Sequence, residues 1–477
     1  MTPRKRAYIE TYGCQMNVSD GELMEGILTR GGYDIAQRPE DADVIIVNTC
    51  AIRDHAEQRV VGRVGDLYRL KRDRPDIVIG VTGCMAQRLG ERMLEQVPHL
   101  DLVMGPDSYR GLPDALAKLR PATLPGGAVA SVTAEATSHT RRTLPVLGEA
   151  AAKAPRLAML DFVAEENYEG LEQRRASTVT AWVPVQRGCN YRCTYCIVPY
   201  VRGSEKNRAP SHIIDEVRGL AAKGLTEVVL LGQTVNSYEA EDWDFARLLR
   251  AVARVDGIRR VRFTSPHPND MTQALIDVMA EEPAVCKQLH LPAQSGHDRT
   301  LKRMLRRYTV AQYLDIIRRV REAMPGIALS TDIIVGFPGE TDEEYEATLD
   351  LMREVRFDDA FMYKYSLREG TPATRLPLSQ HVAPEVAQQR LERLIDLHRE
   401  IQLEINTAEL GRVEEVLVER VAKSAGDVLG RTDSFKVIAF PGDPSSIGSY
   451  MHVRTTQTSG ATFRGAALPA SPAHRVA

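Results

Sequence analysis

The 477-residue sequence predicts an α/β chain with three folded parts: an N-terminal doubly wound parallel-sheet domain, a central partial (βα)6 TIM-like barrel and a small C-terminal all-β barrel. Three observations carry this. Short apolar runs alternate with amphipathic stretches from residue 7 to about 120, and a second such series of six pairs starts at Val179. Beyond Gly411 the helical period gives way to alternating segments broken by Gly and Pro. The resulting division is 5–120 for the first domain, 121–177 for a partly disordered linker, 178–376 for the barrel, 377–400 for a connecting helix and 401–468 for the β module.

In the first part, strands are expected at Ala7 to Thr11, Val44 to Val47, Ile77 to Val81 and Leu102 to Met104, with Ser19-x-x-Glu22 as a capping box opening the first helix. Buried apolar strands separated by helices imply parallel pairing. Residues 121 to about 177 are rich in Ala, Pro, Thr and Gly with little periodicity until Leu157, hence the linker. The barrel strands are expected at Ala181 to Val185, Glu227 to Leu231, Arg260 to Thr264, Gln288 to Leu291, Ile327 to Val335 and Ala360 to Tyr365. Helices are expected at Ile213 to Ala222 and Tyr313 to Met324, and Thr309-x-x-Gln312 and Thr341-x-x-Glu344 mark helix starts. Pro384 to Leu403 reads as one polar helix, its proline suited to a first turn. Val413 to Val418, Phe435 to Phe440 and Met451 to Thr455 are the expected strands of the last module.

Composition excludes several classes of protein. Hydrophobic content of 43% and charged content of 26% are ordinary for a soluble globular chain. There is no apolar run of about eighteen residues and no apolar signal core at the N-terminus, so a cytoplasmic protein without a membrane span is expected. Seven cysteines, an odd number, argue against a secreted disulfide scaffold. Sixty-one Lys and Arg against 64 Asp and Glu leave a net charge of −3, so any nucleic-acid site must be a local patch.

Six of the seven cysteines fall into two sets. Cys189-x3-Cys193-x2-Cys196 follows the first barrel strand, at the carboxyl edge where barrel active sites lie. Three thiolates at this spacing can hold three corners of an iron–sulfur cube and leave the fourth iron open to a small molecule. A zinc knuckle would want a fourth Cys or His nearby, and the next twelve residues contain neither. Cys14, Cys50 and Cys84 are far apart in sequence, but each ends an expected strand. In a parallel sheet those ends share one edge, where helices starting just after Cys50 and Cys84 would stabilise thiolates. Buried cysteines acting as small apolar residues are the alternative; three at one sheet edge favour a second cluster with an open iron. Cys286 has no cysteine nearby and is read as structural.

The Cys189 loop resembles that of the radical S-adenosylmethionine (SAM) enzymes. The resemblance widens with Tyr8-Ile-Glu-Thr-Tyr-Gly-Cys-Gln-Met-Asn17, Val47-Asn-Thr-Cys-Ala-Ile-Arg-Asp-His-Ala-Glu-Gln-Arg59, Gly83-Cys-Met-Ala-Gln-Arg88, Gly232-Gln-Thr-Val-Asn-Ser-Tyr238 and Asp332-Ile-Ile-Val-Gly-Phe-Pro-Gly-Glu340. Together these are similar to the radical methylthiotransferases, and the last module, with Gly430-Arg-Thr-Asp433, resembles the TRAM RNA-binding barrel. This resemblance implies two 4Fe-4S clusters and SAM: Cys189, Cys193 and Cys196 hold the cluster that cleaves SAM to a 5′-deoxyadenosyl radical, and Cys14, Cys50 and Cys84 hold an auxiliary cluster that delivers sulfur. The implied reaction is methylthiolation of carbon 2 of the adenine of N6-isopentenyladenosine, next to the anticodon in tRNA, with a second SAM giving the methyl group. Threonylcarbamoyl-adenosine in tRNA and a ribosomal-protein aspartate are the alternative targets. A non-enzymatic cluster carrier is disfavoured because neither triad has a fourth cysteine nearby.

Further candidates are Gln233, Asn236, Ser265 and Gln294, polar residues at strand ends that could line the cofactor pocket or cap neighbouring helices, and Gly336 and Pro338 in a strand-end turn that could approach the cofactor or nucleoside. Tyr191 and Tyr195 flank the cluster cysteines, with apolar packing as the simpler role. Lys302, Arg303, Arg306, Arg307, Arg318, Arg319 and Arg321 crowd one stretch that could face phosphate, and Arg412, Arg420, Arg431 and Lys436 could grip it from the β module. The expected partners are the anticodon stem-loop of tRNA and a reducing protein such as a flavodoxin or ferredoxin; a monomer is expected.

Overall fold

Strand pairing divides the chain into separate sheets, and the computed structural model describes them through residues 4–51, 54–119, 155–175 and 177–469. One compact unit is formed within Met1–Ala176 together with Arg187–Tyr191 and Ile197–Lys206; the other comprises Ser177–Gln186, Arg192–Cys196 and the chain from Asn207 onward. Most of the linker expected at 121–177, including the part expected to be disordered, lies outside the described residues.

In the first unit, β1 (Arg6–Thr11), β2 (Asp34–Ile35), β3 (Val44–Thr49), β4 (Val78–Gly83), β5 (Leu102–Met104) and β6 (Leu157–Met159) form one parallel sheet in the order β2-β1-β3-β4-β5-β6. Both faces are covered. Leu23, Met24, Ile27 and Leu28 of α1 (Gln15–Arg30) pack on one side with Leu112 and Leu116, while Val60, Val64 and Leu67 of α2 (Asp54–Asp73) and Met85 of α3 (Cys84–Leu89) pack on the other. This double cover explains why β3 and β4 are buried at every position and why each opens on an apolar run, Val44–Val47 and Val78–Val81. Two expectations fail here. β6 lies inside the stretch assigned to the linker; three residues are too few to show a period. The Ser19-x-x-Glu22 box does not open α1, which starts at Gln15 with Cys14 as its N-cap; Ser19 and Glu22 sit buried inside the helix, and Glu22 instead pairs with Arg175 at 3.0 Å.

In the second unit, parallel strands Thr180–Pro184, Glu227–Leu231 and Arg260–Phe263 form one sheet and Gln288–His290, Ala328–Val335 and Asp359–Lys364 another. A parallel bridge between Val261 and Val285 connects them. Six strands in chain order, with no ladder between first and last, make the partial (βα)6 barrel. The capping boxes at Thr309–Gln312 and Thr341–Glu344 form as expected. The polar helix starts at Pro384 as expected and runs on to Ala408, past the expected end at Leu403 and past the 377–400 segment.

The C-terminal module is a closed five-stranded barrel of Val413–Val421, Asp427–Arg431, Val437–Pro441, Tyr450–Thr458 and Thr462–Ala467. Two of these strands were not evident in the sequence because each contains a glycine where the barrel is tightest. A Cβ on Gly430 would sit 2.4 Å from a Val416 methyl, and one on Gly465 2.4 Å from a Val453 methyl. The barrel is fastened to the half-barrel by two arginines from strand Arg260–Phe263. Arg260 donates to the carbonyls of Arg431 and Glu415 at 2.8 and 2.7 Å, and Arg262 to those of Asp433 and Thr432 at 2.8 and 2.7 Å. The Asp433 carboxylate accepts from the Lys287 amide at 2.8 Å, and Arg259 stacks on the Tyr450 ring. Cys286 is buried beside Arg262 and Asp433, and burial pushes its thiol far up, as expected of a structural cysteine.

Arg262 and Glu227 are an ion pair with side chains 2% and 3% exposed. Arg262→Met should therefore strand the carboxylate and cost about 3–5 kcal/mol, read as a lower thermal midpoint. It should also speed proteolysis between the long helix and the β barrel; an unchanged midpoint would show that this arginine does not fasten the module.

Candidate active site: two cysteine sets

Register brings the first set together. Thr11 of β1 stands opposite Asn48 of β3, and Asn48 opposite Thr82 of β4. Cys14 lies three residues beyond Thr11, and Cys50 and Cys84 two beyond Asn48 and Thr82, so all three thiols leave adjacent strands at one edge. Glycine is required on the way. Gly83 has φ +94°, and a Cβ there would stand 2.3 Å from the Thr49 carbonyl oxygen; a Cβ on Gly13, φ +142°, would meet the Cys50 Cβ at 2.6 Å.

Buried amides tie the ends of these strands. Asn17 Nδ2 donates to the Thr49 carbonyl at 2.9 Å, Asn48 Nδ2 to the Asn17 carbonyl at 2.8 Å, and Thr49 Oγ1 to the Thr82 carbonyl at 2.7 Å. Cys14 Sγ lies 3.2 Å from Asn17 Oδ1. A hydrogen bond with the Cys50 thiol, the Arg202 guanidinium and the first amides of α1 lower the Cys14 thiol to about 6, against burial. Burial pushes the Cys84 thiol up, opposed by Arg202, whose Nε donates to Cys84 Sγ at 3.2 Å. Neither the amide lock nor Arg202 was singled out in the sequence; side chains bonding to backbone across strands leave no short-range pattern.

Among the described residues, no three His, Cys, Asp or Glu side chains converge as the ligands of a single metal ion would. Thiolates sharing a cube bind different irons and stand farther apart. Three thiols on one sheet edge, two of them hydrogen-bonded to each other and the third beside a guanidinium, fit that donor set.

The second set lies on one loop. The Cys189 amide donates to the Gly203 carbonyl at 3.2 Å, and the Cys196 amide to the Cys193 carbonyl at 3.0 Å. Thr194 pins the loop within the second unit: its amide donates to the Met304 carbonyl at 3.0 Å, its hydroxyl to the Arg303 carbonyl at 2.9 Å, and its carbonyl accepts from the Ala373 amide at 2.9 Å. Arg306 Nη1 donates to Cys193 Sγ at 3.6 Å, its Nε to the Tyr308 hydroxyl at 3.1 Å and its Nη2 to the Pro292 carbonyl at 3.1 Å. Tyr195 packs with Met304, Phe337 and Ala373, and burial pushes its hydroxyl well up, so apolar packing is its role. The Tyr191 carbonyl lies 3.9 Å from Cys189 Sγ.

The other candidates divide. Gln233 and Gln294 follow strands Glu227–Leu231 and Gln288–His290, and each carries a buried Oε1 that no hydrogen bond satisfies among the described residues; such acceptors suit a polar ligand. Gln294 and the exposed Ser265 both have positive φ, +67° and +59°. Asn236 is turned to internal use: its amide donates to the His267 carbonyl at 2.9 Å and accepts from the His267 amide at 2.7 Å. Gly336 donates to Glu340 Oε2 at 2.7 Å, and a Cβ there would stand 2.8 Å from Ala387, so its bare face meets the long helix; Pro338 is buried in the same turn.

The basic stretch is mostly committed elsewhere. Arg318 and Arg319 pair with Asp315, Arg303 with Glu344, and Arg321 donates to the Val355 carbonyl, while Arg306 faces the cluster loop. Lys302 and Arg307 are exposed. In the β module Arg431 pairs with Glu419, Lys436 with Glu409 and Asp358, and the exposed Arg412 with Glu409 at 3.6 Å, while Arg420 is exposed.

Residues 6–105 match the uncharacterized protein family UPF0004, residues 183–352 the Radical SAM superfamily and residues 407–468 the TRAM domain. The class is thus a radical SAM enzyme with a C-terminal TRAM module, which implies a 4Fe-4S cluster and SAM. The chain is 41% identical to the tRNA-2-methylthio-N(6)-dimethylallyladenosine synthase of Chlorobium luteolum over 98% of both chains. It is 42% identical to that of Geotalea uraniireducens over 96% of this chain and 97% of the relative. The chain belongs to the tRNA-2-methylthio-N(6)-dimethylallyladenosine synthase family. Its fold is similar to that of the radical SAM methyltransferase TsrM from Kitasatospora setae, solved with cobalamin and a [4Fe-4S] cluster bound, with TM-score 0.56 over 78% of this chain and 77% of that one at 16% identity.

The thiols of the metal-free protein should differ in reactivity, because the thiolate is the nucleophile. Iodoacetamide labelling mapped by mass spectrometry should modify Cys14 first, its rate rising as pH passes upward through about 6. Cys286 should stay unlabelled until the protein unfolds; equal labelling of the two under native conditions would contradict the site geometry.

Proposed function

We propose that this chain methylthiolates carbon 2 of the adenine of N6-isopentenyladenosine next to the anticodon of tRNA. The observation that carries the reading is the convergence of Cys14, Cys50 and Cys84 at one sheet edge in a chain that also has the Cys189 loop. When bound, a 4Fe-4S cluster on Cys189, Cys193 and Cys196 supplies the reductive cleavage of SAM, and a second on Cys14, Cys50 and Cys84 supplies sulfur.

The chain's own residues hold and orient. Thr194 and Arg306 fix the cluster loop, with a guanidinium against Cys193 to offset thiolate charge. Gln233 and Gln294 offer unsatisfied acceptors at the carboxyl ends of barrel strands, where an amino or hydroxyl group of SAM would be received. Ser265 follows strand Arg260–Phe263, Gly336 and Pro338 follow strand Ala328–Val335, and Asn236 holds the His267 backbone in place. The exposed Arg412, Arg420, Lys302 and Arg307 are the cations for tRNA phosphates. Among the described residues no helix is long and apolar enough to cross a membrane. A cytoplasmic monomer served by a flavodoxin or ferredoxin completes the reading.

Nucleoside mass spectrometry of tRNA from a deletion strain tests it: isopentenyladenosine should accumulate without its methylthio group. Loss of methylthiolation from threonylcarbamoyl-adenosine or from a ribosomal-protein aspartate would establish the alternative target.

Anaerobic reconstitution should load about eight irons per chain, the content of two 4Fe-4S clusters. Cys50→Ala should remove about half, and an unchanged iron content would end the auxiliary-cluster reading. Cys193→Ala should abolish 5′-deoxyadenosine formation from SAM; persistence of that product would count against the role of the loop.

A further inference from the structure

Arg202 ends the short helix Val198–Arg202, and its side chain is 2% exposed. Its Nε donates to Cys84 Sγ at 3.2 Å, and its Nη2 to Asp20 Oδ2 at 2.7 Å. Asp20, 1% exposed, belongs to α1, the helix that Cys14 opens, so one guanidinium fork spans elements carrying two of the three thiols. The Cys84 it bonds is packed in a small apolar cluster with Ala51, Ile197 and Val201. Its Nη1 is buried and makes no hydrogen bond among the described residues.

Burying an ion pair is costly, and apolar residues of similar volume would serve packing as well. What they could not supply is positive charge where three thiolates crowd a poorly solvated edge. We propose that Arg202 is a positioning residue of the auxiliary centre: it fixes the Cys84 thiolate through the N–H···S bond and raises the reduction potential of the cluster held there. The inference rests on the reading that Cys14, Cys50 and Cys84 hold one cluster. Its physical basis is that hydrogen bonds and cationic charge at ligating sulfurs favour the more negative, reduced state.

The test uses the full-length chain with Cys189→Ala, Cys193→Ala and Cys196→Ala, so that only the auxiliary cluster can form. Dithionite supplies one electron to that cluster, with no bond made or broken, and electron paramagnetic resonance follows the midpoint. Adding Arg202→Gln should lower the reduced-to-oxidised ratio at a given potential about tenfold, a shift of about 59 mV for one electron. Arg202→Lys, which keeps the charge and loses the fork, should fall between. Full iron content with an unchanged midpoint in Arg202→Gln overturns the proposal. Should Arg202→Gln take up no iron, Arg202→Lys decides: a lowered midpoint supports the assignment and a parental one overturns it. If neither takes up iron that the parent binds, Arg202 has a folding role alone and the proposal is overturned. If the parent itself binds no iron, the auxiliary-cluster reading falls, and the proposal with it.

Discussion

Parallel pairing of β1, β3 and β4 in fixed register is the constraint on which the first unit's chemistry rests. Parallel strands finish on the same edge, so thiols thirty or more residues apart become neighbours without any local motif. Slipping one strand by a residue would turn its buried set outward and its cysteine away. The Asn17, Asn48 and Thr49 side chains oppose such a slip, since each bonds to the backbone of a neighbouring segment. Rigid elements and locked side chains are what a multi-thiolate site needs from its scaffold.

Each cysteine set has an arginine against one sulfur: the buried Arg202 on Cys84 in one unit, the half-buried Arg306 on Cys193 in the other. Both guanidiniums are held by further acceptors, Asp20 in the first case and the Pro292 carbonyl in the second. The repetition follows from electrostatics. Thiolates gathered away from water repel one another, and a guanidinium offers charge that cannot be lost by deprotonation together with several directed donors.

The fold was largely legible because buried parallel strands must be apolar and the helices between them amphipathic. All six barrel strands and the four longer or fully buried strands of the first sheet appear near their expected places. What escaped did so for identifiable reasons. β2 and β6 are too short to show a period, and strands Asp427–Arg431 and Thr462–Ala467 contain glycines demanded by close packing, which resemble turn signals in the sequence. Ser19 and Glu22 have the spacing of a capping box, but spacing alone cannot reveal that the helix begins at the cysteine upstream. At the site, the cysteines could be grouped from strand ends and spacing. The roles of Arg202, Arg306 and Asn236 could not, because each depends on which distant backbone or sulfur its side chain reaches.

The β barrel is held by bonds of an unusual kind for a module interface. All four hydrogen bonds from Arg260 and Arg262 to the β barrel end on main-chain carbonyls, a group that every amino acid presents alike. Asp433, Tyr450, the Glu415 carboxylate, which pairs with Arg259 at 2.8 Å, and Lys436, which pairs with Asp358 at 3.0 Å, add side chains to the joint beside them. The four carbonyl bonds are therefore blind to the identity of Arg431 and Thr432, while Glu415 also contributes its carboxylate to Arg259. The outward surface of the barrel can drift in sequence, and so change what it meets, while its mooring stays the same.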